Sequence, residues 1–420
     1  MNKNFKVIIL AAGKGVRMNS ELPKVMQPIC GKPMLEFVLD NVKVLKLKDI
    51  TLVLGFRADL VRAILDKDIK IVMQKKLLGT GDAVKIALAK LKGFKGSCLI
   101  LNGDNPLVNA KSMHNLMKAH IQSGASATFL TANVDNPHGF GRVVRDNYSR
   151  VTKISEDIDA GGLQRQINEI NAGVYCFKAP ELLKALNKIK PKNKKKEFYL
   201  TDIIETFLNE GFKIETVTAE DKFEALGINT RCDLALANEI MRTRILNEHM
   251  ERGVTIISPE MTFIYPHVSI GRDTIIYPFT VIESDVIIGK NCSIGPFCHL
   301  RPGTKVEDSV VLGNFVEVSR SKIGKDTLAK HFSFLGDAQV GKKVNIGAGV
   351  VTANFDGENK NITKIDDEAL IGSDTILVAP VRIGKKAITG AGCVVTKHKD
   401  VPSGKVALGV PARIVKKKNK

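Results

Sequence analysis

The chain of 420 residues contains no tryptophan and five tyrosines, and aromatic residues make up 5% of it. Single-strand nucleic-acid binders stack bases on aromatic side chains. No specific nucleic-acid partner is therefore expected, although the net charge is +19. The positive excess is dispersed as single lysines and concentrates only at Lys192–Lys196 and Lys416–Lys420, which read as solvated loop and tail. A basic surface also favours encounter with polyanionic nucleotides and coenzyme A. Runs of about 18 apolar residues are absent, so no membrane insertion is expected. There is no charged-then-apolar export segment at the N-terminus either. The seven cysteines, at 30, 98, 176, 232, 292, 298 and 393, are odd in number and form no Cys-x-x-Cys. They read as buried free thiols in a reducing, cytoplasmic location.

What is present begins with a short β-branched run, Val7-Ile8-Ile9, that feeds Leu10-Ala11-Ala12-Gly13-Lys14-Gly15-Val16-Arg17-Met18. Gly13 and Gly15 let backbone N–H groups approach an anion, while Lys14 and Arg17 bring positive charge to the same turn. Leu22-Pro23-Lys24 and Gly31-Lys32-Pro33 continue the cations and rigid turns. The chemistry suits a nucleoside triphosphate. Up to residue 229, apolar runs such as Ile50–Leu54 and Cys98–Leu101 alternate with amphipathic stretches such as Ser112–Ala119. That alternation predicts a mainly parallel sheet with helices on both faces, and ligands at the carboxyl ends of its strands. Residues 230–252 lack glycine and proline and read as one linker helix stopped at Gly253.

From 253 to 420 the texture is a repeat. Aliphatic–glycine pairs recur six residues apart, as at Ile288-Gly289 and Ile294-Gly295 or Val340-Gly341 and Ile346-Gly347. Steps of eighteen separate Ile270 from Ile288 and Ile294 from Leu312. Three hexapeptides close one triangular turn, so the expected fold class is α/β plus all-β: a Rossmann-like domain over 1–229, a linker helix over 230–252, and a parallel β-helix over 253–420.

The N-terminal signature resembles that of the sugar-phosphate nucleotidylyltransferases, with Val16 where that family has threonine. In order along the chain, Gln74 and Gly79-Thr80-Gly81 match the segment that reads a pyrimidine base, and Asn102-Gly103-Asp104 the segment that supplies a magnesium ligand. Gly139–Arg142, Glu156, Asn171–Gly173 and Gly227–Asn229 match the stretches that hold the sugar and a second metal ligand. The repeat resembles the left-handed coil of hexapeptide acyltransferases, which implies a trimer with active sites between neighbouring coils.

The whole chain is similar to the bifunctional family that acetylates glucosamine-1-phosphate and uridylylates the product to UDP-N-acetylglucosamine, a precursor for cell-wall peptidoglycan and lipopolysaccharide. That resemblance implies Mg²⁺, with Asp104 and Asn229 as ligands and Arg17 and Lys24 as catalytic cations. It implies substrate contacts from Leu10, Ala11, Gly13, Lys14, Gln74, Gly79, Thr80, Gly141, Glu156, Asn171 and Asn229. In the coil, His331 aligns with the catalytic base, and Arg301, Asn345, Asn354, Phe355, Lys360, Ser373 and Ala391 with substrate-binding positions. UTP, N-acetylglucosamine-1-phosphate, glucosamine-1-phosphate and acetyl-CoA are the expected partners, together with two further copies of the chain. Glu317 is a candidate to orient His331 or the substrate amine.

Three departures fall in the acetyl half. Ser319 stands where the family has a phosphate-binding lysine, and strand alternation aims its neighbour Arg320 at the opposite face. Phe334 replaces a hydrogen-bonding tyrosine, and Gly409 lies where an arginine contacts coenzyme A. Two alternatives are a single-activity uridylyltransferase whose coil only trimerises or acetylates another amine, and a non-catalytic regulatory subunit of the kind found in exchange-factor complexes. The second would not need the retained Gly13, Gly15, Arg17, Lys24 and Asp104.

Overall fold

In a computed structural model that describes residues 4–91 and 93–415, the chain divides into two compact units, 1–238 and 239–420. The basic C-terminal stretch Lys416–Lys420 lies outside the described residues.

The first unit is built on a mixed, mostly parallel sheet. Across it the strands run Ile214–Thr218, Ala127–Asn133, Glu169–Lys178, Ser97–Asn102, Phe5–Ala11, Ile50–Leu54 and Lys70–Met73. Only Glu169–Lys178 is antiparallel to its neighbours in this row. The central strands are apolar on both faces because helices cover both: Val7, Ile8, Ile9, Leu99, Ile100, Leu52 and Val53 are all fully buried. Phe5–Ala11 and Ser97–Asn102 run side by side with Leu10 opposite Asn102. Their carboxyl ends therefore deliver the glycine loop and Asp104 to one place. The loop from Ala12 to Gly15 is irregular and leads into a single 3₁₀ turn, Val16–Met18. Gly15 has φ 65°, and a Cβ there would stand 2.6 Å from Lys24 Cβ.

A helix, Arg231–Glu251, follows Thr230. Its first turn is a capping arrangement: Asp233 Oδ2 accepts from the N–H groups of Asn229 and Thr230, and Thr230 Oγ1 accepts from Asp233 N.

The second unit is a left-handed parallel β-helix with three faces. The first face starts at Thr255–Ile256, the second at Phe263–Ile264 and the third at Ser269–Ile270. Ile276, Ile294, Leu312, Ala329, Ile346 and Ile371 stack inward from successive rungs of the first face and are buried. Register follows the eighteen-residue period early on, pairing Ile270 with Ile288 and Ile294 with Leu312. Later rungs depart from it: Leu312 pairs with Ala329 and Val351 with Ile376, the second gap holding an inserted loop around residues 354–361. All seven cysteines are free, and every one except Cys232 is buried. Burial pushes the Cys298 thiol up to about 12. Among the described residues no helix is long and apolar enough to cross a membrane.

Candidate functional site

Two adjoining cavities open at the carboxyl edge of the first unit's sheet. The larger, about 520 Å³, is walled by Leu10, Ala11, Gly13, Lys14, Arg17 and Lys24 on one side and by Gln74, Gly79 and Thr80 on the other. The smaller, about 220 Å³, is lined by Gly141, Glu156 and Asn171. Asn102, Asp104, Thr80 and Asn229 line both, so the predicted metal ligands stand at the seam.

At that seam Lys24 Nζ is ion-paired with Asp104 Oδ2 and donates to Asn229 Oδ1 at 3.0 Å. The helix cap fixes the Asn229 backbone, and its side-chain Nδ2 donates to the Gly227 carbonyl at 3.1 Å, which turns Oδ1 toward Lys24. Two oxygens from distant parts of the chain thus converge on one cation. Such a sparse oxygen set fits a hard divalent ion that keeps water and substrate phosphates in its shell. Among the described residues no cluster of three or more His, Cys, Asp or Glu offers a fuller cage.

The far wall of the larger cavity is equally ordered. Gln74 is buried, and its Nε2 donates to the Gly79 carbonyl at 3.1 Å and to Asp82 Oδ2 at 2.8 Å. Its Oε1 accepts nothing among the described residues. Gly79 has φ 111°, and a Cβ there would strike the Phe198 carbonyl at 2.5 Å. In the smaller cavity, Thr201 Oγ1 donates to Glu156 Oε1 at 2.8 Å and Asn171 Nδ2 to the Tyr175 hydroxyl at 2.6 Å. Burial raises the pKa of Glu156, and burial with the neighbouring Glu156, Glu205 and Asp159 raises Asp202 to about 6.

The coil's predicted residues do not share one corner. His331, Ser373 and Ala391 sit in turns from the first face to the second, and Asn345 on the first face. Arg301, Asn354, Phe355 and Lys360 sit in turns from the second face to the third. His331 is exposed, and its ring has no partner among the described residues.

Residues 6–227 match the nucleotidyl transferase model, residues 267–300 and 285–320 the bacterial transferase hexapeptide (six repeats), and residues 362–397 the hexapeptide repeat of succinyl-transferase. The chain is 43% identical to the bifunctional protein GlmU of Geobacillus sp. (strain WCH70), covering 98% of its own length and 96% of the relative. The GlmU of Geobacillus thermodenitrificans (strain NG80-2) gives the same identity and coverage. That of Desulfitobacterium hafniense (strain DSM 10664 / DCB-2) is 41% identical over 96% of each chain.

The chain belongs to the bifunctional GlmU family. It is a two-activity enzyme of UDP-N-acetylglucosamine synthesis, a uridylyltransferase joined to a hexapeptide acetyltransferase that use a divalent metal and acetyl-CoA. The non-catalytic and single-activity alternatives are set aside by that membership.

Within this GlmU coil one expectation changes. Arg320 does not point away from Ser319: its Nη1 donates to Ser319 Oγ at 2.9 Å across a corner one residue shorter than the ones before it, which breaks the strand alternation. Glu317 accepts from Arg301 Nη1 at 3.0 Å, and no bond between it and His331 is seen among the described residues. Phe334 is half-buried and packs on Gly336, where a Cβ would meet its ring at 2.6 Å. Sequence reasoning missed Asn105, which clamps the Ala172 carbonyl at 2.7 Å, along with Tyr175 and Thr201. Only their position beside matched motifs could have marked them.

Proposed function

We propose that the first unit binds UTP in the larger cavity and N-acetylglucosamine-1-phosphate in the smaller, with Mg²⁺ between Asp104 and Asn229. The observation that carries this reading is the pair of cavities meeting at those two oxygens. The sugar phosphate is already anionic, so it attacks the α-phosphorus in line, the bond to pyrophosphate breaks, and no general base is needed. Catalysis is then positioning and charge neutralisation. When bound, Mg²⁺ supplies Lewis-acid polarisation of the phosphates. Backbone N–H groups from Gly13 to Gly15, with Lys14, Arg17 and Lys24, receive the triphosphate. Leu10 and Ala11 floor the cavity beneath it. Gln74, with Nε2 committed, offers Oε1 to the N3–H of uracil between Gly79 and Thr80. Gly141, Glu156 and Asn171 hold the acetamido sugar.

In the coil, neutral His331 takes the proton of the glucosamine-1-phosphate amine as the amine attacks the thioester of acetyl-CoA and coenzyme A leaves as the thiol. Arg301, Asn345, Asn354, Phe355, Lys360, Ser373 and Ala391 supply contacts. The working form is a homotrimer in the cytoplasm, the latter in keeping with seven free thiols. Outward positions on the first two faces are largely apolar, among them Ile275, Val311, Leu328, Phe263, Val281, Phe334 and Ile376. The third face instead presents Lys305, Lys322, Lys364 and Arg382 to solvent. At the corner between the apolar faces, Phe279, Phe297 and Phe315 stack with centroids 4.7 and 4.9 Å apart, each about half exposed. A second and third copy would cover that ladder and bring the two separated groups of acetyl-site residues together. Mass analysis of products from glucosamine-1-phosphate, acetyl-CoA, UTP and Mg²⁺, omitting one reagent at a time, tests both halves. UDP-N-acetylglucosamine only from the complete mixture is the expected result, and its absence from that mixture would overturn the reading.

A further inference from the structure

The corner from the second face to the third is shortened at two consecutive rungs. Inward residues there are normally six apart, as from Leu300 to Val306 and from Leu377 to Ile383, but five apart from Val318 to Ile323 and from Leu335 to Val340. The corner residues of the short rungs, Arg320 and Asp337, have φ 49° and 47°, left-handed like Asp285 and Gly303 at the full-length corners, so what differs is the missing residue. Losing one residue at the turn reverses the side-chain alternation, and the Arg320 guanidinium comes back over the Ser319 hydroxyl.

Its donors can be counted. Nε and Nη2 donate to Asp337 Oδ1 and Oδ2 at 2.7 and 2.8 Å, and Nη1 to Ser319 Oγ at 2.9 Å. A guanidinium has five N–H groups in a fixed plane. Two are left over, one on each terminal nitrogen, and the Nη1–Nη2 spacing matches two oxygens of a phosphate. Asp337 also accepts from Asn354 Nδ2 and feels the charge of Lys360, both predicted substrate contacts. The carboxylate is thus occupied as a bracket that fixes the guanidinium plane beside those contacts.

We propose that Arg320 binds the phosphate of the amino-sugar acceptor in the acetyl-transfer half, taking two of its oxygens with the end-on edge of the guanidinium. This rests on the reading that the coil acetylates glucosamine-1-phosphate. The cation lacking at Ser319 is then supplied from the next residue.

Steady-state thiol release from acetyl-CoA, with full-length wild type, Arg320→Ala, Arg320→Lys and the double variant Arg320→Ala/Asp337→Asn, tests it. Losing a bidentate charge-assisted contact should raise KM for glucosamine-1-phosphate about 10–100-fold in Arg320→Ala, with kcat and the KM for acetyl-CoA within about threefold. Lysine keeps the charge without the paired edge and should fall between. The double variant removes the unpaired carboxylate, so a persisting rise assigns the effect to the lost guanidinium, and a return to the wild-type value assigns it to repulsion by Asp337 and overturns the proposal. An unchanged acceptor KM in Arg320→Ala also overturns it, as does a rise confined to acetyl-CoA, which would give the edge to the coenzyme's phosphates. Wild type that releases no thiol with this acceptor would instead remove the acetyl-transfer reading on which the proposal stands.

Discussion

Lys24 and Asp104 form an ion pair at the point where the two cavities of the first unit meet, and Asn229 Oδ1 accepts from the same ammonium. The cation proposed to meet the triphosphate therefore sits on the two oxygens proposed to hold the metal. Ammonium and metal compete for one carboxylate. Lys24→Met should leave Asp104 without its counter-charge and so tighten Mg²⁺ or Mn²⁺ binding to the nucleotide-free protein several-fold, read by calorimetric titration. The same variant should lower uridylyl turnover by about two to three powers of ten, the usual loss for one preorganised charge donor. Metal affinity that is unchanged or weaker contradicts the competition.

Arg17 lies in the 3₁₀ turn that follows the glycine loop, exposed and without a partner that would hold it elsewhere among the described residues. Arg17→Ala should reduce pyrophosphate release by a similar two to three powers of ten. Full activity would take Arg17 out of the site. Asp104→Ala should raise the metal requirement or abolish the reaction, and indifference to Asp104 would cancel the metal assignment.

Base choice follows from the bonds of Gln74. With Nε2 tied to Gly79 and Asp82, the side chain can only accept inside the cavity. Uracil offers N3–H there, whereas cytosine offers a lone pair. Gln74→Ala should therefore narrow the ratio of kcat/KM for UTP over CTP by at least about tenfold, in line with losing one specific buried hydrogen bond. A ratio that does not move would place base selection on backbone groups alone.

Asp202 gives a pH-dependent signature. Its folded pKa of about 6 lies above the ordinary 3.8, because of burial first and then Glu156, Glu205 and Asp159. The folded state therefore binds the proton more tightly, and stability falls as pH rises from about 4 to 6. Asp202→Asn removes that cost and should raise unfolding free energy by about 1–2 kcal/mol at pH 7.5, after allowing for solvent screening, with no gain below pH 4. Denaturant titration at the two pH values checks the sign, and an equal gain at both would mean that packing, not charge, is responsible.

What the sequence made legible and what it hid have distinct physical causes. Aliphatic–glycine spacing specifies inward stacking directly, so the coil and its early register, Ile270 on Ile288, could be read off the chain. The glycine turn after the first strand was legible because Gly15 takes positive φ against Lys24, and the turn at Gly79 because it takes positive φ against Phe198. Arg320 was misread because alternation assumes a full-length corner, and the deletion of one residue is invisible until strands are paired. Asn105, Tyr175 and Thr201 reach the smaller cavity through strand and helix ends far apart in sequence, where no local pattern distinguishes a lining residue from a core one. The ladder of Phe279, Phe297 and Phe315 was overlooked as well, although its eighteen-residue spacing is in the repeat.

That ladder sets the prediction for assembly. Large apolar rings stacked at one exposed corner mark an interface, and a closed ring of three identical copies covers all of them at once. Light scattering should give a mass near three times the 45.9 kDa chain. Phe297→Asp/Phe315→Asp should dissociate it, abolishing acetyl transfer while sparing uridylyl transfer. A wild-type monomer at micromolar concentration would contradict the trimer.

His331 carries the remaining expectation. Its ring is exposed and unpartnered among the described residues, so nothing within one copy restrains it, and its role rests on the approach of the acceptor amine and a neighbouring coil. Removing a positioned general base should cut thiol release from acetyl-CoA by about 10²–10⁴-fold in His331→Ala. The uridylyl reaction should be unchanged, because its residues all come from the first unit. KM for the acceptor should move little, in contrast to Arg320→Ala, since the imidazole acts on the proton and not on the phosphate. Wild-type rates of thiol release in His331→Ala would sink the proton-transfer assignment. Loss of both activities together would point to a misfolded chain, and an unchanged trimer mass in the same sample separates that case from a true loss of the base.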